Sequence, residues 1–468
     1  MRSSRSAPAP GAVLAVLSIA QFLIALDYSI IYVALPSIAA DLDVQPQLAQ
    51  WIVSAYAVLF AGFLVVGGRL SDRIGAGRLF ILAMVVFGLA SAVGGAAGDG
   101  AVLLAARGVQ GLGAALLQPA VLGLIGTTFD TGPARSRAVA VWGSVGALGL
   151  AAGAILGGLL TTISWRLIFE VNVPLTLLCA AGAAVWVRGA RDNRPTDRVP
   201  LLASALGTGT VLTLVLGLTL TSDRGWGSPL TLGCLGLALV LFGWFVRNER
   251  LAVAVLVEPV LRGTRSLRIG AAATALYMAS VGSEFFLVTL LLQDRKGYTP
   301  LQAGLAFLPL ALMITAGSTT AGRAVRRLPP AIVLSGGFAV AAVGLAWLSF
   351  TLHGDSYAVD LLPGLLLSGF GHGAIYTSMF IIGTRDVPES HQSTAGALLT
   401  TSQYLAGALT LAVLTLALGG SPGDGEFRTA FLITTAAATA GLTTVVALRR
   451  RLTTQAEPVT VPHLADQR

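Results

Sequence analysis

The feature that most restricts this chain is the recurrence of apolar runs about as long as a lipid bilayer is thick. About 20 apolar residues in helical form cross a ~30 Å hydrocarbon core. Fourteen such runs occur along the 468 residues, at 13–34, 49–67, 79–97, 101–126, 138–160 and 167–187, at 201–220 and 229–246, and at 269–292, 301–321, 331–351, 357–382, 394–418 and 429–448. Only 11% of the residues are charged and 55% are apolar, whereas a soluble domain carries roughly a quarter charged residues. Without water to satisfy the backbone, each span must close its own hydrogen bonds as a helix. The expected fold is an all-α integral membrane protein with fourteen transmembrane helices. The first run, preceded by Arg2 and Arg5, is too long for the h-region of a signal peptide and leads into further runs, so it reads as a retained helix.

The basic residues orient these spans. Twenty-four of thirty fall in the segments on the side of the N-terminus. Five (Arg166, Arg224, Arg295, Lys296 and Arg428) fall on the other side, and Arg107 lies within a span. The positive-inside bias then places both termini in the cytoplasm of a multi-pass cell-membrane protein. Because the charge is scattered over many short loops, the net +8 forms no single patch, and nucleic acid is excluded as a partner. Cys179 and Cys234 both sit inside apolar runs and make neither a disulfide framework nor a metal spacing. The chain lacks an H-E-x-x-H site and a G-x-x-x-x-G-K-[ST] phosphate loop, and has only four histidines. A non-enzymatic protein without cofactor or metal is expected, driven by an ion gradient and working as a monomer on a small-molecule substrate in the bilayer. A membrane enzyme or signalling protein is the rival from another class.

Two polar stretches, 188–200 and 247–268, divide the spans six, two and six. The expected domains are a six-helix bundle at 1–187, a linker with two extra helices at 188–267, a second six-helix bundle at 268–451 and a cytoplasmic tail at 452–468. Many transporters are built from two such related halves.

Charges inside spans are costly, roughly 2.5–3.5 kcal/mol each at a helix centre, and must face protein or water. At helical rise, Asp27 lies ~10 Å below the end of span one at Ala34, and Arg107 lies ~9 Å below the start of span four at Ala101. The two are at matching depth on the same side, close enough in principle to pair. Each has a plain alternative as a buried packing residue. Glu284, ~12 Å before Leu292 on the same reckoning, is a second deep carboxylate, in span nine. His372 stands between Gly371 and Gly373 in span twelve, where a packed hydrogen-bonding role competes with a titrating one. Gly149, Gly153 and Gly157, with Gly158 beside them, make a small-residue face in span five for close helix contact.

The stretch 68–78, Gly-Arg-Leu-Ser-Asp-Arg-Ile-Gly-Ala-Gly-Arg, reads as a short charged loop between two spans. Gly75 and Gly77 allow a tight reversal, Gly68 a close helix approach, and Asp72 a place at the positive end of a neighbouring helix or beside an arginine. On chemistry alone it is equally an ordinary hairpin loop. The stretch 322–327 falls where a repeat would, keeping the glycine and the basic charge but not the acid.

The order G-x-L-x-D-R-x-G resembles the signature loop between helices two and three of the major facilitator superfamily. The resemblance implies a cytoplasmic gating role for Gly68, Asp72, Arg73, Gly75 and Arg78. Residues 26–36 around Asp27 resemble the LDxTIVNVALP segment of the superfamily's fourteen-helix drug:proton antiporters, with Ser29 and Tyr32 replacing threonine and asparagine. Arg107, Gln110 and Gly111 match the R-x-x-Q-G motif of helix four, which the resemblance implicates in proton coupling; by depth, Asp27 is the carboxylate expected to couple with Arg107, and Glu284 the second one across the cavity. Residues 153–158 are similar to the antiporter motif G-P-x-x-G-G, with Ala154 in place of proline, and 165–174 resemble a further fourteen-helix signature in which Glu170 replaces an apolar residue. Tyr28, Tyr32, Gln110, Glu170, Asn172 and His372 are the candidates for a substrate cavity. The implied function is proton-coupled export of an antibiotic or other amphipathic toxic molecule. Import of a nutrient by symport or facilitation is the alternative that Ala154 keeps open.

Overall fold

The computed structural model describes residues 10–130, 132–187, 200–252, 255–352, 356–419 and 423–453. The expected linker arm at 188–199 and the tail beyond 453 lie outside the described residues. The first six spans are α1 (Pro10–Asp41), α2 (Pro46–Ile74), α3 (Ala76–Gly95), α4 (Gly100–Thr128), α5 (Pro133–Thr161) and the pair α6 (Leu167–Glu170) and α7 (Asn172–Trp186). Two extra helices follow, α8 (Leu201–Arg224) and α9 (Pro229–Leu251), then the short α10 (Pro259–Gly263). The last six spans are α11 (Arg265–Leu290), the pair α12 (Pro300–Ala306) and α13 (Leu308–Ala324), α14 (Pro330–Thr351), α15 (Leu362–Thr384), α16 (Gln392–Leu418) and α17 (Asp424–Thr453). Among the described residues, fourteen helices, with these pairs taken as single spans, are long and apolar enough to cross a membrane, as the sequence predicts.

Local chemistry explains where the helices start and break. Proline opens α2, α5, α9 and α14, where its missing N–H costs nothing. Asp99 caps α4 by accepting the N–H groups of Ala101 and Val102 at 2.9 Å. Span six is not the continuous helix expected: it turns at Val171, where Pro174 cannot return an N–H to the carbonyl of Glu170. Span ten breaks at Phe307 for the same reason, since Pro309 has no N–H to return to the carbonyl of Leu305. Pro36 and Pro119, by contrast, lie inside continuous α1 and α4.

The expected charged loop 68–78 is corrected more strongly. α2 runs on to Ile74 and α3 begins at Ala76, so Arg69, Asp72 and Arg73 are helical and the reversal is confined to Gly75. Gly75 has φ +94°, a conformation costly for any side chain. Gly77 has no such conformation; a Cβ there would meet the Val187 side chain at 2.9 Å.

Packing within each half rests on close backbone approach, because lipid is as apolar as a helix surface and offers no hydrophobic reward for pairing. The glycine face of α5 lies on α1. A Cβ at Gly149 would meet the Phe22 carbonyl oxygen at 2.7 Å, one at Gly153 the Leu26 carbonyl oxygen at 2.6 Å, and one at Gly157 the Ile30 carbonyl oxygen at 3.0 Å. Ser29 adds a hydroxyl hydrogen bond to the Leu150 carbonyl, 2.9 Å, across the same crossing. Gly158 points elsewhere, toward Leu301 of the second half. The side chain of Ala154 lies outside what the structure describes. The halves meet along α2 and α4 against α16, and along α5 against α12, α13 and α15. α8 packs on α2 and α16, beside the first of these seams, and α9 packs on α8 at the periphery.

Candidate functional site

Asp27 and Arg107, placed at one depth by counting residues, form an ion pair with Arg107 Nη1 2.6 Å from Asp27 Oδ2. Each is 1% exposed. Asp27 Oδ1 accepts from Gln110 Nε2 at 3.1 Å and from Asn172 Nδ2 at 2.9 Å. Arg107 Nη1 also donates to Gln110 Oε1, 3.0 Å, and Arg107 Nε to the Ile52 carbonyl, 3.3 Å. Gln110 Nε2 reaches Ser91 Oγ at 2.8 Å. The guanidinium lies 4.6 Å from the centre of the Tyr56 ring, a cation–π contact. α1, α2, α3, α4 and α7 thus each contribute one group or more.

This geometry follows from the chain. Arg107 and Gln110 are three residues apart and share one face of α4. The break at Val171 starts α7 at Asn172, which turns its amide onto Asp27. A buried ion pair persists only when its remaining hydrogen-bonding positions are filled, and here the amides fill them. Ser91, Ile52 and Tyr56 escaped the sequence reading; the only available signal was a lone serine in the apolar run of α3.

The six cavity candidates do not form one lining. Gln110 and Asn172 are fully buried partners of Asp27, and His372 is fully buried in the other half. Glu170 is exposed, with its stem against Gly95, at the end of α3, and does not join the Asp27 network. Tyr28 and Tyr32 do face the interior between the halves. Their rings are 6.0 Å apart, Tyr32 is 53% exposed, and Tyr28 continues to Tyr56 at 6.4 Å. Tyr56 stacks on Phe60, which meets Tyr404 of α16 at 4.7 Å, so the aromatic series crosses from one half to the other. Trp142 of α5 makes a second crossing, 5.4 Å from Tyr376 and 5.3 Å from Phe380.

Glu284 lies with His372, not with Asp27. Glu284 Oε2 is 3.2 Å from His372 Nδ1, and both residues have zero exposure. Ser368 Oγ donates to Glu284 Oε1 at 2.5 Å, and His372 Nε2 lies 3.2 Å from Ser280 Oγ.

Two of the expected gating residues, Asp72 and Gly68, contact the second half on the arginine-rich face. Asp72 accepts the N–H of Ser393 at 3.2 Å and that of Thr394 at 2.9 Å, capping α16 from the other half. Ser71 Oγ donates to Ser393 Oγ at 2.9 Å. A Cβ at Gly68 would lie 2.7 Å from the Ala397 side chain, so glycine is what lets α2 touch α16. A Cβ at Gly322 would stand in the same relation to α5, 2.7 Å from the Ala140 side chain, but the N-cap of α5, Gly132, has no side-chain cap bond, which is the missing acid of the repeat. Arg73 and Arg78 are exposed on this face. One residue here was missed. Glu258, at the start of α10, bonds both Arg69 of α2 and His391 just before α16. Burial would push its carboxyl up, but hydrogen bonds from Arg69 and His391 outweigh that and hold it below the ordinary glutamate range.

A family model described as Major Facilitator Superfamily matches residues 17–203 and 199–411. The chain is 36% identical over 414 residues to a cephamycin export protein of Amycolatopsis lactamdurans, covering 86% of this chain and 85% of that protein. It is 35% identical to a puromycin resistance protein of Streptomyces alboniger (86% and 80%) and 31% identical to a tetracenomycin C resistance and export protein of Streptomyces glaucescens (89% and 77%). Among solved structures, the human organic anion transporter MFSD10 aligns with a TM-score of 0.64 at 16% identity, over 94% of this chain and all of that one. The fold is shared with that transporter, and the matched residues and relatives identify the chain as a member of the Major Facilitator Superfamily.

Proposed function

We propose that the protein exports an antibiotic or another amphipathic toxic small molecule across the cytoplasmic membrane in exchange for protons. It acts as a monomeric transporter, not an enzyme, with both chain ends in the cytoplasm. The observation that carries the proton half of this reading is the sealed Asp27 network beside the tyrosine-lined seam between the halves. The direction and the substrate class rest on the relatives named for antibiotic export and resistance.

The chemistry follows from donor and acceptor counts. As a carboxylate, Asp27 accepts from Arg107, Gln110 and Asn172. A proton on Asp27 removes the counter-charge of Arg107, and an arginine cannot neutralise itself by losing its own. The guanidinium must then turn toward Gln110, the Ile52 carbonyl or the Tyr56 ring, and α1, α4 and α7 lose their common anchor. Protonation in this way biases the packing of α1 in the first half against the seam. The arginine-rich face is closed here by Asp72, Ser71 and Glu258, so opening that face must break these contacts. Alternation between this state and its inverse, each favoured by a different proton occupancy, gives exchange.

The test is a comparison of cells with and without the protein against a panel of antibiotics and dyes, with and without a protonophore. Raised resistance and protonophore-sensitive efflux of at least one compound are expected. Protein-dependent accumulation instead of efflux would establish the importer, and efflux indifferent to the protonophore would remove the proton.

A further inference from the structure

We propose that Glu284 and His372 act together as a second proton-binding site, one per half with Asp27, so that two protons move for each cationic substrate. This rests on the proton-coupled reading above and adds the stoichiometry and a charge preference for the substrate. Glu284 Oε2 and His372 Nδ1 are buried atoms without a hydrogen-bond partner of their own, yet they face each other at 3.2 Å. One proton between them satisfies both. The other positions fix where it sits. The Ser368 hydroxyl already donates to Oε1, and His372 Nε2 faces the Ser280 hydroxyl. With the ring proton on Nε2, toward Ser280, Nδ1 is an acceptor and the shared proton lies on the carboxyl. In a site with zero exposure this neutral pair is favoured over a buried glutamate and imidazolium, because each charge would lose its hydration.

Removing that proton leaves an anion with no cation at hand. Along the helical path that carries Glu284, Arg268 is roughly 24 Å away in one direction and Arg295 roughly 16 Å away in the other, at the rise of an α-helix. The ionisable side chains that the surrounding helices bring to the middle of this half are Tyr277 on α11, Tyr376 on α15 and Tyr404 on α16; α14 and residues 429–448 of α17 have none. The proton therefore leaves only when a positive charge arrives to take its place. The approach is through one aromatic layer: the Tyr277 ring is 5.8 Å from His372 and 5.7 Å from Tyr376, which lies against Trp142 of the first half. A cation held among these rings would be stabilised by their faces and by the glutamate it uncovers.

The full chain reconstituted in lipid is examined by infrared difference spectroscopy with and without tetraphenylphosphonium as the cation, and proton release into weak buffer is counted. The protonated-carboxyl band is expected in the wild type, lost in Glu284→Gln and shifted but present in His372→Gln. Tetraphenylphosphonium should release two protons per wild-type protein, and one from either Glu284→Gln or Asp27→Asn. A band unchanged by Glu284→Gln, or the wild-type release from that variant, would overturn the pair. Full release from Asp27→Asn alone would instead refute the Asp27 reading and leave the pair standing. A wild type that shows the band but releases nothing refutes the exchange. Because His372→Gln keeps the carboxyl, it decides the assignment even where Glu284→Gln fails to fold.

Discussion

Thr394 gives Asp72 both its backbone N–H, at 2.9 Å, and its hydroxyl, at 2.5 Å, so that a carboxylate of the first half closes the end of a helix in the second. The four N–H groups at a helix start have no partners of their own, and the helix dipole adds favourable charge there. α16 has no side-chain cap from its own flank. Its cap is contributed by the half against which it must move, and capping is lost whenever this face opens.

Asp72→Asn keeps the shape and one acceptor while removing the charge. A charged cap is worth about 1–2 kcal/mol, so a five- to thirty-fold shift away from the closed face is expected. Transport should slow while the amount of inserted protein stays the same. A cysteine at Leu122, which packs against Gly396 of α16, reports the seam once Cys179 and Cys234 are replaced. Faster reaction with a thiol reagent in the Asp72→Asn background is the expected result; an unchanged rate would make Asp72 incidental to closure.

Glu258 ties the linker to both halves at the same face, and its pH dependence has a definite sign. Its carboxyl is held below the ordinary value when folded, by Arg69 and His391 acting against burial. The stability it contributes is therefore present above the ordinary glutamate value, about 4.3, and fades as pH falls through the lower folded value. Glu258→Gln should lower the melting temperature of purified protein at neutral pH, with the gap to wild type closing under acid. A gap that widened on acidification would contradict this assignment.

Much of this arrangement was legible before any coordinates. Helix count follows from run length, because the bilayer fixes the length and the backbone forces the helix. The pairing of Asp27 with Arg107 was readable from rise per residue, since both positions count from the same membrane edge. Other features were not, for identifiable reasons. The reversal at 68–78 looked like a loop because its charges suggest solvent, yet Asp72 and Arg69 are held in α2 by partners in α16 and α10 that lie far away in sequence. Glu258 sits in a polar linker whose other charges look the same. Asn172 was named for a cavity; its real position depends on the turn at Val171, which Pro174 allows, and on the packing of α7 against α1, which no local signal gives.

Orientation is tested by two cysteines at exposed positions, Gly98 between α3 and α4, and Arg327 after α13. If the arginine-rich face is cytoplasmic, an impermeant thiol reagent added to intact cells should label Gly98→Cys and not Arg327→Cys, once the native cysteines are replaced. The reverse pattern would invert the protein and with it the direction of export.

Asp27→Asn separates coupling from binding. The asparagine fits the same space and still accepts from Gln110 or Asn172, but it leaves Arg107 buried without a counter-charge. Breaking a buried pair by removing one partner costs about 3–5 kcal/mol, and part of this is recovered here because Arg107 keeps the Ile52 carbonyl, Gln110 and the Tyr56 ring. The variant should therefore insert with reduced melting temperature yet remain folded. It resembles the protonated state permanently, so a proton gradient has nothing to act on at this site, and coupling through it is expected to vanish, leaving only the one proton of Glu284 and His372. Substrate binding and downhill exchange, which need only the seam of Tyr28, Tyr32, Tyr404 and Trp142, should persist. Arg107→Lys makes the complementary case. It keeps the charge but has a single ammonium in place of the planar fork that serves Asp27, Gln110 and Ile52 together. Coupling should weaken there rather than vanish. Vesicles loaded with a pH-sensitive dye decide the matter: an Asp27→Asn protein that still moves the wild-type number of protons per substrate would reduce Asp27 to a packing residue.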